Sequence, residues 1–349
     1  MRKPYIDNLR NYTILLLFPV HTFMIWNDFG FKFYIWQGEN KLLSTLIVLV
    51  NPWFMPLLFV LAGISARYAL ETRTAQEFLR QRSQKLLLPF LSGLLLYVPF
   101  QSLYARKHFY NYNGTLGSHW KYFFTHVTDL SGYDGAFTPG HLWFILFLFL
   151  ISAVTLPLFC RLPAHKAAPS AAKMPFAAIL SLFIPLWLFY YLGNFGGFSL
   201  GKNLALYLAG YYILSNDAIM DKLEQNRKWL ACFSFTGTAA LVVLYYQFSY
   251  YGDLWINAVG WVNILFLLIC AKKYCNQQTA CTNYFNKASY SIYLLHQSIL
   301  VALAYYIVRT FTSTPMQILF IGGGSFVLTL LAYHIIRQLP FVRKLIGLQ

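Results

Sequence analysis

Arg10 and His21 stand eleven residues apart at the head of the chain, where Arg2 and Lys3 precede Tyr5-Ile-Asp-Asn-Leu-Arg and an apolar run continues to Trp26. At about 100° per residue this spacing returns nearly to one helix face, and at about 1.5 Å per residue it separates the two by roughly 16 Å. Asp7 lies three residues before Arg10 and shares the stripe. One face therefore carries a carboxylate and a guanidinium at the membrane surface and an imidazole deep in the hydrocarbon. An ionisable group at that depth is costly, so it either packs against a polar neighbour or serves a site. A neutral imidazole held there can take the proton of a hydroxyl, which is the work of a general base. Pro19 has no N–H to give, and predicts a kink just before His21.

Further candidates lie in three places. Arg82 and Lys85, in the most basic loop of the chain, are three apart and on a helical turn share a face. Such a pair can grip phosphate oxygens through charge-assisted bonds, or it can serve only as cytoplasmic charge. Pro139-Gly-His-Leu-Trp-Phe puts His141 and Trp143 at the start of an apolar run. Ala288-Ser-Tyr-Ser-Ile-Tyr-Leu-Leu-His-Gln-Ser places Ser289, Tyr293 and His296 within reach of one helix face, where His296 fits either a packing or a cavity-lining role. Five cysteines show no CxxC pair and no nearby histidine, so no metal site is expected.

The elements that must position these residues are membrane helices. The 349 residues are 58% hydrophobic and only 11% charged, a profile that excludes a soluble globular domain. The formal charge of +16 sits in loops between apolar runs, where it reports topology and not nucleic-acid binding. Ten apolar segments are expected: Leu9 to Trp26, Leu42 to Ala66, Leu86 to Tyr104, Leu142 to Cys160, Pro175 to Leu192, Asn203 to Ser215, Trp229 to Phe248, Leu254 to Ala271, Ala288 to Val308 and Met316 to Ile336. With both termini in the cytoplasm, only Lys32, Lys41, Arg106, Lys107, Lys121, Lys202 and Arg309 of the 27 Lys and Arg fall outside. The expectation is a single all-α, polytopic domain over residues 1–349.

Pro52 and Pro56 predict a broken second span, and Gly63 a close helix contact. Aromatic and polar residues interleave in the connection from Ala105 to Gly140, a composition that suits stacking on sugar rings or an interfacial aromatic belt. Gly196-Gly197 and Gly322-Gly323-Gly324 lack the strand and helix context of a nucleotide loop and read as helix packing or bending.

Taken together these residues resemble the membrane acyltransferase-3 family, ten-span enzymes that transfer acyl groups from coenzyme A thioesters to hydroxyls of envelope glycans and other extracytoplasmic acceptors. The resemblance rests on Arg10 and His21 with ten residues between them, on Arg82 and Lys85 ahead of Leu-Leu-Leu-Pro, and on His141-Leu-Trp-Phe and Tyr293-Leu-Leu-His296. It covers nearly the whole chain and is similar above all to the branch of glucan succinyltransferases. Lys85 departs from the arginine the family commonly carries there.

The resemblance implies a bacterial inner-membrane enzyme with acyl-CoA as donor substrate, no resident cofactor, and no nucleic-acid partner. It makes His21 and Arg10 catalytic, with Arg82 and Lys85 on the coenzyme A phosphates. Asp7 then orients Arg10, and His141, Trp143, Ser289, Tyr293 and His296 line the cavity or the acceptor side. A transporter or exporter of a small solute is the alternative, since broken helices and intramembrane histidines also mark transport pathways, although no internal repeat is seen. A sensor or scaffold is a third reading, against which the intact Arg10 and His21 pair counts.

Overall fold

A computed structural model describes residues 3–195, 198–249 and 252–347, so that Arg2 and the Gly196-Gly197 pair lie outside the described residues. Helices make up most of it; among the described residues the strands are one short pair, Asn194–Phe195 against Phe198–Ser199. Among the described residues, seven helical stretches are long and apolar enough to cross a bilayer: Lys41–Leu70, Ala75–Tyr110, Gly140–Arg161, Arg227–Phe248, Asp253–Tyr274, Ala280–Thr310 and Thr314–Gln338. The chain is an all-α integral membrane protein.

The other three apolar segments are helical but interrupted, each for a local reason. The first divides into Pro4–Leu15 and Leu17–Phe23. Pro19 cannot bond the Leu15 carbonyl, and the helix breaks where its own ring frees that acceptor. The fifth divides into Phe176–Leu180 and Phe183–Tyr190, where Pro185 cannot bond the Ser181 carbonyl, which accepts from the Ile184 N–H at 2.9 Å instead. In the sixth, Leu200–Ala209 passes into a π-helical turn, Gly210–Leu214. The second span breaks between Val50 and Phe54, as its prolines predict.

Contacts group the chain into two compact units. The first draws on Met1–Thr13, Val48–Arg82 and Phe147–Asn283. Its centre is a close helix crossing: a Cβ added to Gly63 would stand 2.1 Å from the Tyr207 carbonyl oxygen, and one added to Gly210 would stand 2.3 Å from that of Val60. Each glycine thus lets the facing backbone in, as small residues do between membrane helices. In the same unit the Trp261 indole, fully buried, donates to the Ile179 carbonyl at 2.9 Å.

The second unit draws on Ile14–Ile47, Ser83–Leu146 and Tyr284–Gln349. Its core joins Ile25, Trp26, Phe33, Tyr34 and Leu43 to Ala105, Leu300, Val301, Ala304 and Ile321. The helix Thr314–Gln338 lies against Leu17–Phe23, with the α-carbon of Gly322 facing Thr22 and Phe326 edge-on to Phe18 at 5.3 Å.

The third helix of this unit changes winding twice. It passes through a π-helical turn at Ser83–Leu87 and breaks at Tyr97 ahead of Pro99. The carbonyls freed by the break find side chains: Trp120 Nε1 donates to Leu95 at 3.1 Å and Ser298 Oγ to Tyr97 at 3.2 Å. The helix then runs on to Tyr110, past the expected end at Tyr104, and Leu116–Thr125 forms a helix of its own capped by Thr115. The connection from Ala105 to Gly140 is therefore partly helical. Arg106 holds it, its guanidinium stacked 4.0 Å from the Tyr112 ring centroid and 3.8 Å from that of Tyr122.

His119 sits behind this stack, buried, with Nε2–H donating to the Pro99 carbonyl at 3.0 Å while Arg106 donates to Nδ1 at 3.4 Å. Burial lowers its pKa from 6.5 to about 4; the carbonyl bond works against the shift and the Arg106 charge adds to it.

Candidate active site

Within the first unit the helix Pro4–Leu15 brings Asp7 and Arg10 together one turn apart, and Arg10 Nη1 meets Asp7 Oδ1 at 2.8 Å. The other terminal nitrogen donates to Ser65 Oγ at 2.8 Å, and Ser65 in turn donates to the Leu61 carbonyl at 2.7 Å. The guanidinium is thus held at two points, by a charge and by a hydroxyl whose own proton is already spoken for. Ser65 closes the Leu-Ala-Gly-Ile-Ser run, and nothing in its spacing from Arg10 announces this contact. Arg82 also belongs to this unit; it ends the helix Ala75–Arg82 with its guanidinium 4.9 Å over the Phe78 ring.

Lys85 lies in the π-helical turn, exposed, and its carbonyl accepts a hydrogen bond from the Tyr290 hydroxyl. A π-turn advances each residue by a smaller angle than an α-turn, so the three-residue spacing of Arg82 and Lys85 does not carry the shared α-helical face expected of it.

The second unit gathers three histidines from distant segments. His21, from the helix after the first break, has its ring centroid 5.3 Å from that of His296, and His141 lies 5.1 Å from the same ring. Phe33 lies parallel to His21 at 5.9 Å, and Phe18 meets His296 edge-on at 5.8 Å. The three imidazoles thus share a mostly aromatic chamber. Their hydrogen bonds separate their roles.

His141 is fully engaged. Its Nε2–H donates to the Leu294 carbonyl at 2.9 Å, so in the neutral ring Nδ1 is a lone pair, and it accepts from the Gln101 amide at 3.1 Å. Gln101 also donates to Ser298 Oγ at 2.7 Å. Tyr293 returns the clamp by donating its hydroxyl to the His141 carbonyl, which leaves that hydroxyl no second proton to offer. Trp143 opens the helix Trp143–Arg161 with its ring 6.3 Å from Phe144.

His296 is held at one nitrogen only. Nδ1 lies 2.7 Å from the Tyr293 carbonyl, a group that can only accept, so Nδ1 carries the proton. Nε2 is then a bare lone pair, buried and without a hydrogen-bond partner. His21 Nδ1 is likewise buried and without one. Ser289 stands on the same helix as His296, buried, two turns nearer its N-terminus.

The sequence brought forward every one of these histidines, but not Gln101, Ser298 or Ser65. Gln101 had one signal: it is an amide inside an apolar run, and such a group, once buried as it is here, must be bonded. The chamber can accept a proton at two ring nitrogens and presents no carboxylate among the residues that line it, which suits deprotonation of a neutral hydroxyl.

Comparison with known proteins agrees with this chemistry. The family described as acyltransferase domain matches residues 3–334. Two curated relatives, each named glucans biosynthesis protein C, come from Salmonella schwarzengrund (strain CVM19633) and Salmonella gallinarum (strain 287/91 / NCTC 13346). Each is 23% identical to this chain, across 99% of it and 94% of the relative. No solved structure matches the chain significantly.

Proposed function

This chain belongs to the acyltransferase-3 family and is a membrane acyltransferase, and we propose that it moves an acyl group from an acyl-coenzyme A donor to a hydroxyl of an envelope glycan. The relatives' name points to a glucan as the acceptor. The observation that carries the reading is His21: an imidazole of the first apolar segment brought into an aromatic chamber beside a second and a third histidine ring. An ionisable side chain in the membrane interior is costly, and one that is retained there is suited to a reacting partner.

In this reading His21 takes the acceptor proton as the hydroxyl oxygen attacks the thioester carbonyl. The C–S bond then breaks, and the coenzyme A thiolate recovers the proton from His21. Arg10, fixed by Asp7 and Ser65, and the Arg82 and Lys85 charges serve the donor phosphates. The donor comes from the cytoplasm of a bacterial cell and the acceptor from beyond its inner membrane. Ten crossings, with the three interrupted helices counted among them, place both termini inside. A small-solute transporter gains no support from the comparisons.

Purified protein in liposomes, given acetyl- or succinyl-coenzyme A and a glucan oligosaccharide, tests the function. Thioester loss dependent on the glucan is expected. General base catalysis contributes roughly 10²- to 10⁴-fold, so His21→Ala should lower turnover by about that much. His21→Gln, which cannot take the proton, should not rescue it. Near-normal transfer by a correctly inserted His21→Ala protein would remove His21 from the reaction.

A further inference from the structure

We infer that His296 is the positioning residue of the His21 base: its Nε2 lone pair accepts the Nδ1–H of His21, which fixes the His21 lone pair at Nε2 for the acceptor hydroxyl. The inference rests on the role given to His21 above.

Two buried atoms without partners lie on facing rings, and they are complementary. His296 Nε2 can only accept, because the Tyr293 carbonyl holds the ring proton on Nδ1 at 2.7 Å. His21 Nδ1 has no partner to decide whether it carries a proton. A neutral histidine carries one ring proton, and placing it on Nδ1 satisfies both orphans with a single bond. The separation permits this. Two imidazoles joined by an N–H···N bond of about 3 Å have centroids one bond length plus two ring radii apart. The observed 5.3 Å between centroids, with planes 29° apart, falls in that range.

The neighbours leave His21 no better choice. His141, the third imidazole, has both nitrogens engaged, by Leu294 and by Gln101. Phe33, stacked on His21, offers only a ring face. His296 is itself completely buried and hangs from a carbonyl one turn back on its own helix, so it cannot swing to another partner without losing that bond. The arrangement does for His21 what a buried carboxylate does for the histidine of a hydrolytic triad: it selects a tautomer and supports the imidazolium that forms as the hydroxyl is deprotonated. A neutral acceptor does this without placing a second charge in the membrane.

The test has two arms on the full-length protein in liposomes. In the first, acyl transfer from acetyl- and succinyl-coenzyme A to a glucan oligosaccharide is measured for His296→Leu and His296→Gln. Gln places an amide oxygen near the position of Nε2 and can accept from His21; Leu cannot. His296→Leu should lower kcat on the order of 10²-fold while leaving both KM values within about twofold, and His296→Gln should recover most of the loss. A packing role would favour Leu over Gln instead. In the second arm, ¹⁵N NMR of histidine-labelled protein, with the His21 signals assigned from the His21→Ala spectrum, should show Nδ1 protonated and hydrogen-bonded in the parent. That signature should disappear in His296→Leu. A His21 spectrum that His296→Leu leaves unchanged, or a normal kcat in that variant beside an inactive His21→Ala, overturns the inference and leaves the base where it is. Transfer that survives His21→Ala overturns the base itself.

Discussion

His141 and Leu294 are joined by a 2.9 Å hydrogen bond from the imidazole Nε2 to the backbone carbonyl, and this bond ties the helix that begins at Trp143 to the one that carries His296. The carbonyl of the adjacent Tyr293 is the one that sets the His296 tautomer, so the clamp and the site share a single turn of backbone. With Gln101 on the other ring nitrogen, His141 acts as a rivet among three spans.

Removing the rivet should therefore cost stability in a non-additive way. His141→Leu keeps most of the volume but leaves the Gln101 amide bonded only to Ser298. An abandoned buried donor typically costs about 1–3 kcal/mol, so the unfolding midpoint in detergent should fall measurably. Gln101→Leu alone should behave alike. The double substitution removes both partners, and should destabilise by less than the sum of the singles. Strict additivity would show that the Gln101 contact holds nothing.

The donor site proposed above is tested at the basic pair. Arg82→Ala and Lys85→Ala should raise the KM for acyl-coenzyme A with little change in kcat, because a phosphate grip is made equally in the ground and transition states. Folding should be spared, since Arg82 is half-buried over Phe78 and Lys85 is exposed. Lys85→Arg should preserve donor binding or improve it, as a guanidinium can engage phosphate with two parallel bonds. A donor KM unchanged in both alanine variants would leave the pair as topological charge.

The local part of this architecture was legible in the sequence, and the tertiary part was not. Pro19 announces the break before His21 because a missing N–H acts one turn away in the same chain. Gly63 announces a close crossing but not its partner, Tyr207. Arg10 and Asp7 meet through an i, i+3 spacing, whereas Ser65 reaches Arg10 through a fold that no spacing encodes. The candidate histidines were each visible, but their convergence depends on three segments more than a hundred residues apart in sequence. The π-turn at Ser83–Leu87 has no residue type that demands it, which is why a shared α-helical face for Arg82 and Lys85 looked natural.

The outer helix Leu116–Thr125 should respond to acid. His119 is neutral and buried in the folded protein with its pKa near 4, against 6.5 when exposed. Its folded value is depressed, so the stabilisation is complete above pH 6.5 and is lost as pH falls through about 4. The full difference is on the order of 3 kcal/mol for this one group. Protonation would also set a cation against Arg106, which now donates to Nδ1. Hydrogen-exchange protection factors of residues 116–125, taken against the intrinsic rate at each pH, should therefore fall between pH 6.5 and 4, and His119→Gln should flatten that dependence. Protection insensitive to pH in the parent would show that the stack of Arg106 between Tyr112 and Tyr122 holds the helix without His119.

The number of crossings decides where the two substrates meet the protein. Ten crossings put both termini and the loop before the third span in the cytoplasm, whereas an odd number such as seven would set the termini on opposite sides. The charge distribution favours ten, because positive residues gather on the cytoplasmic side of membrane proteins. Interrupted helices can cross when their free carbonyls are buried in protein, so the breaks at Leu16, Ser181 and Gly210 do not argue against it. Two engineered cysteines in an otherwise cysteine-free chain give the answer. Gln76→Cys lies on an exposed position of the helix Ala75–Arg82, and Gly117→Cys lies where an added Cβ meets nothing within 4 Å. An impermeant maleimide added to intact cells should label position 117 and spare position 76 until the membrane is opened. A reporter at the C-terminus should be shielded along with position 76. Labelling of position 76 from outside would invert the first three spans and place the Arg82 and Lys85 charges out of reach of a cytoplasmic thioester.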